Sequence, residues 1–358
     1  MTDAYAAAGV DTHQADRGVA ALVDVLRSIE PGRRSLTVPL PGHYASVIKV
    51  APALGIALAT DSVGSKVIVA QQARRFDTIG IDCVAMNVND LICVGAQPLA
   101  LLDYLAVEQA DHHMLEQIAI GLRIGAEAAG VEIPGGEVCQ IPDVIRGHPS
   151  PYGFDLVGSA FGTVALDSLI DGSACRPGDA VIGIPASGVH SNGLTLARRA
   201  LFDDGGLSLD DTPPGLDGAS VADVLLEPTA IYVRAVLALL GAGLDVRGLA
   251  HITGGGLLNL LRIGDGVGYE ITAPLPVTPV FELIAELGDV APHEMWEVFN
   301  MGCGFCAIVS AADAGPSVQL LAGHHPGTEV IGEVTRRAGV VAVPGLRIEG
   351  GADGLGTV

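Results

Sequence analysis

Residues 54–75 have the sequence LGIALATDSVGSKVIVAQQARR, which predicts three consecutive structural elements. The apolar run over residues 54–60 predicts a buried strand that places Asp61 at its carboxyl end. Gly64 predicts a polar turn, and residues 66–75 predict a helix that begins at Lys66. We therefore expect this strand, glycine turn and helix to form one edge of a ligand-binding site.

The composition of the whole chain supports a mixed α/β or α+β class. Its 358 residues exceed the size at which one core stops growing, so two domains are expected, over residues 1–166 and 167–345. The glycine-rich residues 346–358 are expected to form a flexible tail. Hydrophobic residues make up 49% and aromatic residues only 4%, which favours parallel strands covered by helices over a sandwich.

The formal net charge of −22 argues against binding to nucleic acid or to an anionic membrane surface, because both require clustered lysine and arginine. The sequence contains no apolar run long enough to span a bilayer. Residues 1–11 lack a basic stretch followed by an apolar one. A cytoplasmic protein is therefore expected.

Hydrophobic periodicity places the remaining elements around this stretch. Helices are expected at residues 18–29, 82–94, 114–129, 194–202 and 257–262, and strands at 99–105, 156–164, 181–184 and 299–310. Residues 133–137, Ile-Pro-Gly-Gly-Glu, predict a turn that brings backbone close to an acid. Residues 203–218 predict a mobile acidic loop.

The chain has only two lysines, Lys49 and Lys66. Lys66 follows the glycine turn, where a compact ammonium is a good partner for phosphate. The alternative is a surface lysine with a buried stem. For Lys49 both interpretations remain open.

Cys303 and Cys306 have C-x-x-C spacing, but the sequence has no second pair to complete a zinc site. They lie in an apolar run, where free cysteine behaves as a small hydrophobic residue. A core position is favoured over a metal or redox site.

Five acids lie in apolar or glycine-rich surroundings, where an unpaired charge is costly: Asp61, Asp82, Asp90, Asp103 and Glu137. Mg²⁺ would compensate them, because it binds carboxylates and bridges them to substrate phosphates. The alternative is a set of helix caps and hydrogen-bonded acids.

Two glycine turns in the second half, residues 187–193 and 251–256, each precede a predicted helix. Backbone N–H groups at a helix N-terminus attract anions such as phosphate. His190, Ser191, Asn192 and Thr253 add side-chain donors. Neither turn is a Walker motif or a dinucleotide fingerprint, so tight turns without a ligand remain the alternative.

Seven stretches of the sequence match, in the same order, those of one known enzyme family. They are 5–11 (YAAAGVD), 61–66 (DSVGSK), 76–82 (FDTIGID), 87–91 (NVNDL), 135–137 (GGE), 187–193 (SGVHSNG) and 251–256 (HITGGG). Over nearly its whole length the chain resembles the phosphoribosylformylglycinamidine cyclo-ligase family. This family is also called aminoimidazole ribonucleotide synthetase, and the resemblance is to an archaeal-like branch.

The resemblance implies a two-domain ATP-binding α/β (α+β) fold and a homodimer in which the N-terminal sheets form a shared barrel. It implies ATP and Mg²⁺ as cofactors and formylglycinamidine ribonucleotide as the small-molecule substrate. In the reaction that the resemblance implies, ATP phosphorylates the formyl oxygen, the amidine nitrogen closes the five-membered ring, and phosphate leaves. The implied product is 5-aminoimidazole ribonucleotide of purine biosynthesis.

The same resemblance implies roles for individual residues. The ATP-binding residues are Asp61, Lys66, Asn89, Asp90, Asp103 and Glu137, and the metal ligands among them are Asp61, Asp90 and Glu137. The catalytic residues are Asp61, Lys66 and His190. The substrate-binding residues are Ser187, Gly188, His190, Ser191, Asn192, His251, Thr253, Gly254 and Gly255.

Three departures from the family pattern leave other functions open. The family continues Gly-Gly-Glu with Thr-Ala-Glu-Met-Pro, whereas Glu137 is followed by VCQIP, which lacks one hydroxyl and one acid. Residues 42–46, GHYAS, replace the usual glycine-phenylalanine-glycine loop, and Ser62 replaces a glycine. The alternatives are an enzyme of the same superfamily with a changed substrate and a non-catalytic nucleotide-binding dimer.

Overall fold

A computed structural model describes residues 8–9 and 12–358 and contains two β sheets. Apart from Ala8 and Gly9, the YAAAGVD stretch lies outside the described residues. The first sheet has six strands and the second has eight.

The elements have the following bounds. The strands of the first sheet are β1 Thr37–Val38, β2 Ser46–Ala51, β3 Leu54–Ser62, β4 Gln97–Val107, β5 Glu132–Gln140 and β6 Phe154–Ala165. Their order across the sheet is β1-β2-β3-β6-β4-β5. The strands of the second sheet are β7 Ala180–Pro185, β8 Val246–His251, β9 Gly268–Ile271, β10 Cys303–Val309, β11 Glu329–Thr335, β12 Val341–Val343, β13 Ile348–Gly351 and β14 Gly354–Thr357. Their order across the sheet is β14-β13-β12-β9-β11-β7-β10-β8. The α-helices are α1 Thr12–Arg27, α2 Lys66–Ala73, α3 Ile79–Cys93, α4 His112–Ala129, α5 Leu194–Arg198, α6 Val221–Leu226, α7 Val233–Gly241, α8 Pro279–Leu287, α9 Pro292–Val298 and α10 Ala314–Ala322.

Helix α3 links the two halves of the molecule. One side of β6 is buried at every second residue from Phe154 to Val164, as expected for a strand with one covered face. Helix α3 packs on that covered face, since a Cβ at Gly158 would meet Asn87 and Cys83 of the helix. Almost every residue of α3 is buried, so the helix also lies against the second half.

The second half is built on β7 and β10, which pair antiparallel. All seven residues of β10 are buried, including Cys303 and Cys306. The two sulfur atoms lie 3.6 Å apart inside this core. The structure therefore places the C-x-x-C pair in the hydrophobic core.

Both sheets are mainly antiparallel, which differs from the expectation of parallel strands. Only the pairs β4 with β5 and β9 with β12 run parallel among the described strands. An aliphatic composition indicates that strands are buried, but it does not indicate whether they run parallel or antiparallel. The α+β alternative within the expected class is the one that the structure has.

Residues 133–137 are not a turn but part of strand β5. Strand β5 pairs with β4 and places Gly136 opposite Asp103. A Cβ at Gly136 would collide with the Asp103 side chain. The glycine is therefore needed because the two strands pack closely here. A sequence pattern does not distinguish a glycine of this kind from one that forms a turn.

The glycine-rich residues 346–358 also differ from the flexible tail that was expected. Strands β13 and β14 pair with each other, and β13 pairs with β12, so this segment extends the second sheet. Ile348 and Leu355 are buried there and anchor the hairpin.

In the described part of the chain, no helix is both long and apolar enough to cross a bilayer.

Candidate active site

The two second-half glycine turns lie side by side. A Cβ at Gly254 would lie 3.3 Å from Asn192 Oδ1, which places the 187–193 and 251–256 turns in contact. Gly193 and Gly255 have φ angles of 76° and 98°, in the left-handed region that favours glycine, and each precedes a helical turn. The structure thus brings together the two turns that the sequence suggested.

Asn259 holds the second turn in its shape. Its side-chain Nδ2 donates to the carbonyl oxygens of Gly254 and Gly256, at 3.1 and 2.9 Å. The backbone carbonyl of the same residue accepts a hydrogen bond from the Tyr44 hydroxyl at 3.0 Å. The unusual 42–46 loop is therefore attached to this turn.

Arg262 adds a second attachment for the 42–46 loop. Its Nε donates to the Gly42 carbonyl at 2.8 Å, and its guanidinium lies 4.1 Å above the ring of Tyr44. A guanidinium over an aromatic face gains electrostatic attraction. This contact gives the tyrosine of the changed loop a structural role.

Asp61 and Asp103 lie in one row across the first sheet. Each is directly opposite Gly158 of β6, so their side chains are on the same face of the sheet. Burial, followed by the nearby Asp90 carboxylate, raises the pKa of Asp61 to about 6. Burial likewise raises the pKa of Asp103. Two of the predicted ATP-binding acids thus share one face of the strand layer.

The Ser62 departure does not disturb the turn that follows Asp61. Ser62 has no left-handed φ angle, whereas Gly64 has a φ angle of 71°. The Ser62 backbone N–H donates to Asp61 Oδ1 at 2.7 Å and orients that carboxylate. Glycine is therefore required at residue 64 and not at residue 62.

Asp90 is joined to the second half through His251. The two side chains meet at 2.9 Å, between Asp90 Oδ1 and His251 Nδ1. Because a carboxylate only accepts, Nδ1 carries the proton and donates it. The His251 side chain is fully buried and the Asp90 side chain is 18% exposed, so one face of the acid remains accessible to a ligand.

Lys66 is placed differently from the phosphate partner that the sequence suggested. Its side chain is fully buried, and Nζ lies 3.0 and 2.9 Å from the two carboxylate oxygens of Asp82. The same ammonium donates to the Glu227 carbonyl at 2.6 Å. The described neighbours thus occupy this cation, while Lys49 is exposed on β2.

Asn89 is also engaged inside the protein. It is fully buried, its Nδ2 donates to the Ala230 carbonyl at 2.9 Å, and its Oδ1 accepts from the Tyr232 N–H at 3.0 Å. Both ends of the amide bind backbone of the second half. This arrangement assigns Asn89 to the contact between the two halves.

His190 is buried to all but 2% and has a φ angle of 63°, in the left-handed region. Its Nε2 accepts a hydrogen bond from the Ser187 N–H at 3.2 Å, so the ring proton lies on Nδ1, which has no partner. Burial, then His251 and Lys66, lowers the pKa of His190 well below its usual value. The ring is therefore neutral and stabilises the turn.

Glu137 lies exposed on β5, at the edge of the first sheet. Among residues 8–9 and 12–358, no group of three or more histidine, cysteine or acidic side chains is arranged to hold a metal ion. The predicted trio of Asp61, Asp90 and Glu137 is therefore not assembled as a closed cage. Asp90 is close enough to Asp61 for its carboxylate to contribute to the raised pKa of Asp61.

The segment at residues 227–232, Glu-Pro-Thr-Ala-Ile-Tyr, was missed by the sequence reasoning. It has no helix or strand of its own and joins α6 to α7. Thr229 is 2% exposed, and both its N–H and its hydroxyl donate to Asp82 Oδ1, at 2.8 and 2.6 Å. No motif marks this segment, since its partners are distant in the sequence.

Comparisons with known proteins identify the family and the fold of the chain. Residues 42–164 match the family model described as AIR synthase related protein, N-terminal domain, and residues 176–344 match the C-terminal domain of the same description. The chain is 46% identical to the phosphoribosylformylglycinamidine cyclo-ligase of Thermococcus kodakarensis over 348 residues, covering 96% of this chain and 97% of that relative.

A second relative, the phosphoribosylformylglycinamidine cyclo-ligase of Methanothermobacter thermautotrophicus, is 47% identical over 301 residues and covers 84% of this chain and 85% of its own. A solved structure of AaThiL complexed with AMPPCP and TMP superposes with a TM-score of 0.62 at 18% identity, over 92% of this chain and 93% of that one. At this identity the likeness shows a shared fold.

Proposed function

The chain belongs to the phosphoribosylformylglycinamidine cyclo-ligase family, as its resemblance predicted, and from this membership we propose how its site works. The protein is an ATP-dependent cyclo-ligase of purine biosynthesis, which forms a carbon–nitrogen bond. Its substrate is formylglycinamidine ribonucleotide and its product is 5-aminoimidazole ribonucleotide. The observation that carries the site assignment is the Asp90–His251 contact, which joins the first-half acids to the second-half turns.

The reaction requires a leaving group better than hydroxide. Phosphorylation of the formyl oxygen by ATP makes that oxygen leave as phosphate when the amidine nitrogen attacks the formyl carbon. The bond to oxygen breaks, the ring C–N bond forms, and the amidine nitrogen loses a proton. The protein positions the two substrates and compensates charge, as phosphoryl transfer generally requires.

Asp61 and Asp90 would hold Mg²⁺ with the phosphates of ATP. Their fit is supported by the raised pKa of Asp61, to which the nearby Asp90 charge contributes after burial. Two carboxylates that repel each other are stabilised by a divalent cation, and Mg²⁺ uses one or two carboxylates together with phosphate oxygens. When bound, Mg²⁺ would supply positive charge to the transferring phosphoryl group. Asp103 and Glu137 are proposed as further ATP-side acids.

The adjoining glycine turns would bind the ribonucleotide substrate. Asn192 Nδ2 and His190 Nδ1 are buried donors that lack a partner in the described structure. Ser187 is exposed at the start of the first turn, and Gly254 is exposed in the second. A neutral His190 supplies one N–H donor to the substrate-side turn, rather than a positive charge.

We also propose a homodimer in the cytoplasm. On the face of the first sheet opposite α3, Leu58 pairs with Phe161 and Tyr104 pairs with Val157. Leu102 and Tyr104 are each 40% exposed on this face. An open apolar sheet face of this kind marks an interface, and a second copy would close it into a barrel. Light scattering that gave the mass of one chain would contradict the dimer.

The enzyme assay mixes purified protein, ATP, Mg²⁺ and formylglycinamidine ribonucleotide, and measures ADP and aminoimidazole product together. Substrate-dependent ADP release matched one-for-one by aminoimidazole supports the proposed chemistry. ATP binding without either product would point to a changed substrate, with the VCQ sequence after Glu137 as its first explanation. Omission of Mg²⁺ is expected to abolish turnover.

A further inference from the structure

The connecting segment at residues 227–232, called the strap below, lies between the two parts of the proposed site. On one side it contacts helices α2 and α3 of the first half through Lys66, Asp82 and Asn89. On the other side it contacts the substrate-side turn through Ser187 and His190. A segment without regular structure is thereby held between two functional parts.

Side chains of other elements bind most of the backbone polar groups of the strap. Lys66 Nζ donates to the Glu227 carbonyl at 2.6 Å, Ser187 Oγ donates to the Pro228 carbonyl at 2.6 Å, and the Thr229 N–H donates to Asp82 at 2.8 Å. The Ala230 N–H donates to His190 Nε2 at 3.5 Å, the Ala230 carbonyl accepts from Asn89 at 2.9 Å, and the Tyr232 N–H donates to Asn89 at 3.0 Å.

Asp82 is the centre of this network. One of its oxygens, Oδ1, accepts from the Thr229 N–H, the Thr229 hydroxyl and the Ser191 hydroxyl, the last at 3.2 Å. The Asp82 side chain is fully buried and paired with Lys66. Hydrogen bonds to a buried charge are directional and stronger than those between neutral groups, so they fix the strap in one position.

We propose that the strap positions the substrate-side turn, with Thr229 and Asp82 as positioning residues for the reaction. Thr229 fixes the strap on α3, and the neighbouring Pro228 and Ala230 then hold Ser187 and His190 at the turn. Neither Thr229 nor Asp82 is assigned contact with substrate. This inference rests on the proposed function of the 187–193 turn as a substrate loop.

The test uses Thr229→Val, which removes the hydroxyl but keeps the shape and the N–H bond to Asp82. Thr229→Ser restores the hydroxyl and should restore function. The matched control is Thr328→Val, because Thr328 is 3% exposed and its hydroxyl donates to the His325 carbonyl at 2.7 Å, in another part of the second half. Both valine variants remove one buried hydroxyl that donates a hydrogen bond.

Thr229→Val should lower kcat/KM for formylglycinamidine ribonucleotide about 10- to 100-fold, the effect of losing a hydrogen bond to a charged group. The KM for ATP should change less than about 3-fold, and Thr229→Ser should stay within about 3-fold of the parent. Thr328→Val loses a hydrogen bond to a neutral carbonyl, so it should lower Tm somewhat less and keep its kinetic constants. Equal kinetics in the two valine variants would overturn the proposal, since the hydroxyl would then serve stability alone.

Hydrogen exchange separates this proposal from the proposed function. Thr229→Val should speed amide exchange in residues 187–193 relative to Thr328→Val, whether or not the parent protein turns over this substrate. Unchanged exchange in that turn would overturn the positioning role. If the parent shows no cyclo-ligase activity but the exchange difference appears, the proposed substrate fails while the strap keeps its role in holding the turn.

Discussion

Replacing Lys66 by methionine distinguishes a phosphate-binding lysine from a structural one. We expect Lys66→Met to leave the Asp82 carboxylate buried without a counter-charge, and the Glu227 carbonyl without its hydrogen-bond donor. Removing one member of a buried ion pair costs about 3–5 kcal/mol of unfolding free energy. The three remaining donors to Asp82, from Thr229 and Ser191, reduce this loss but do not supply a charge.

The matched control is Lys49→Met, since the chain has only these two lysines and Lys49 is exposed. A surface substitution of this kind usually changes stability by less than about 0.5 kcal/mol. In urea unfolding, followed at one protein concentration because of the proposed dimer, the midpoint of Lys66→Met should fall by about 1–2 M relative to that control.

A third variant, Lys66→Met combined with Asp82→Asn, tests the pairing itself. With both charges removed, the double variant should be more stable than the sum of the two single losses predicts. If Lys66→Met unfolds like Lys49→Met but raises the KM for ATP, the ion pair is not the role of this lysine. Its ammonium would then lie with the phosphates, as the sequence pattern suggested.

Three further perturbations test other parts of the site. Asp61→Asn should lower kcat about 100-fold or more with little change in urea midpoint, since it removes a proposed charge at the phosphates, and unaltered ADP release would remove Asp61 from the mechanism. Burial and then a neighbouring arginine lower the pKa of His43 to about 4, so the folded state binds fewer protons and stability is lost as pH falls below about 6.5. Between about pH 7 and pH 5 the unfolding free energy of His43→Asn should therefore fall by about 1–2 kcal/mol less than that of the parent. The control is His324→Asn, since His324 is exposed. The same difference in His324→Asn would contradict the role of His43. Gly256→Ala places a Cβ against a backbone carbonyl at a φ angle of 51° and should prevent soluble expression or lower Tm strongly, whereas Gly315→Ala, with open space in helix α10, should be neutral or stabilising.

Local sequence patterns were sufficient to find the turns. Glycines such as Gly193 and Gly255 adopt left-handed conformations for reasons that lie within a few residues, so the sequence carries the signal directly. The same holds for strand β3 and for helix α4, which is followed by Gly130 with a φ angle of 71°. The segment at residues 133–137 was misjudged because glycines for turns and glycines for close strand packing look alike.

The polar contacts between the halves could not be read from local patterns. Thr229 and Asp82 are 147 residues apart in the sequence, and only the folded chain brings them together. One signal was present: Asp82 and Asn89 are seven residues apart on helix α3, so they share a face of it. Two polar residues on one face of a buried helix predict a polar partner, but not which segment supplies it.

Helix α3 explains why the acids and the turns keep a fixed relation. Asp82 and Asn89 bind the strap, and Asp90 on the same helix binds His251, so one rigid element holds both second-half turns. Apolar contacts alone would allow the two halves to slide, because dispersion has no direction. Buried charged and amide hydrogen bonds lose their energy within a fraction of an ångström. If the proposed site assignments hold, the polar residues of α3 set the distance between the proposed ATP-side acids and the proposed substrate-side turns.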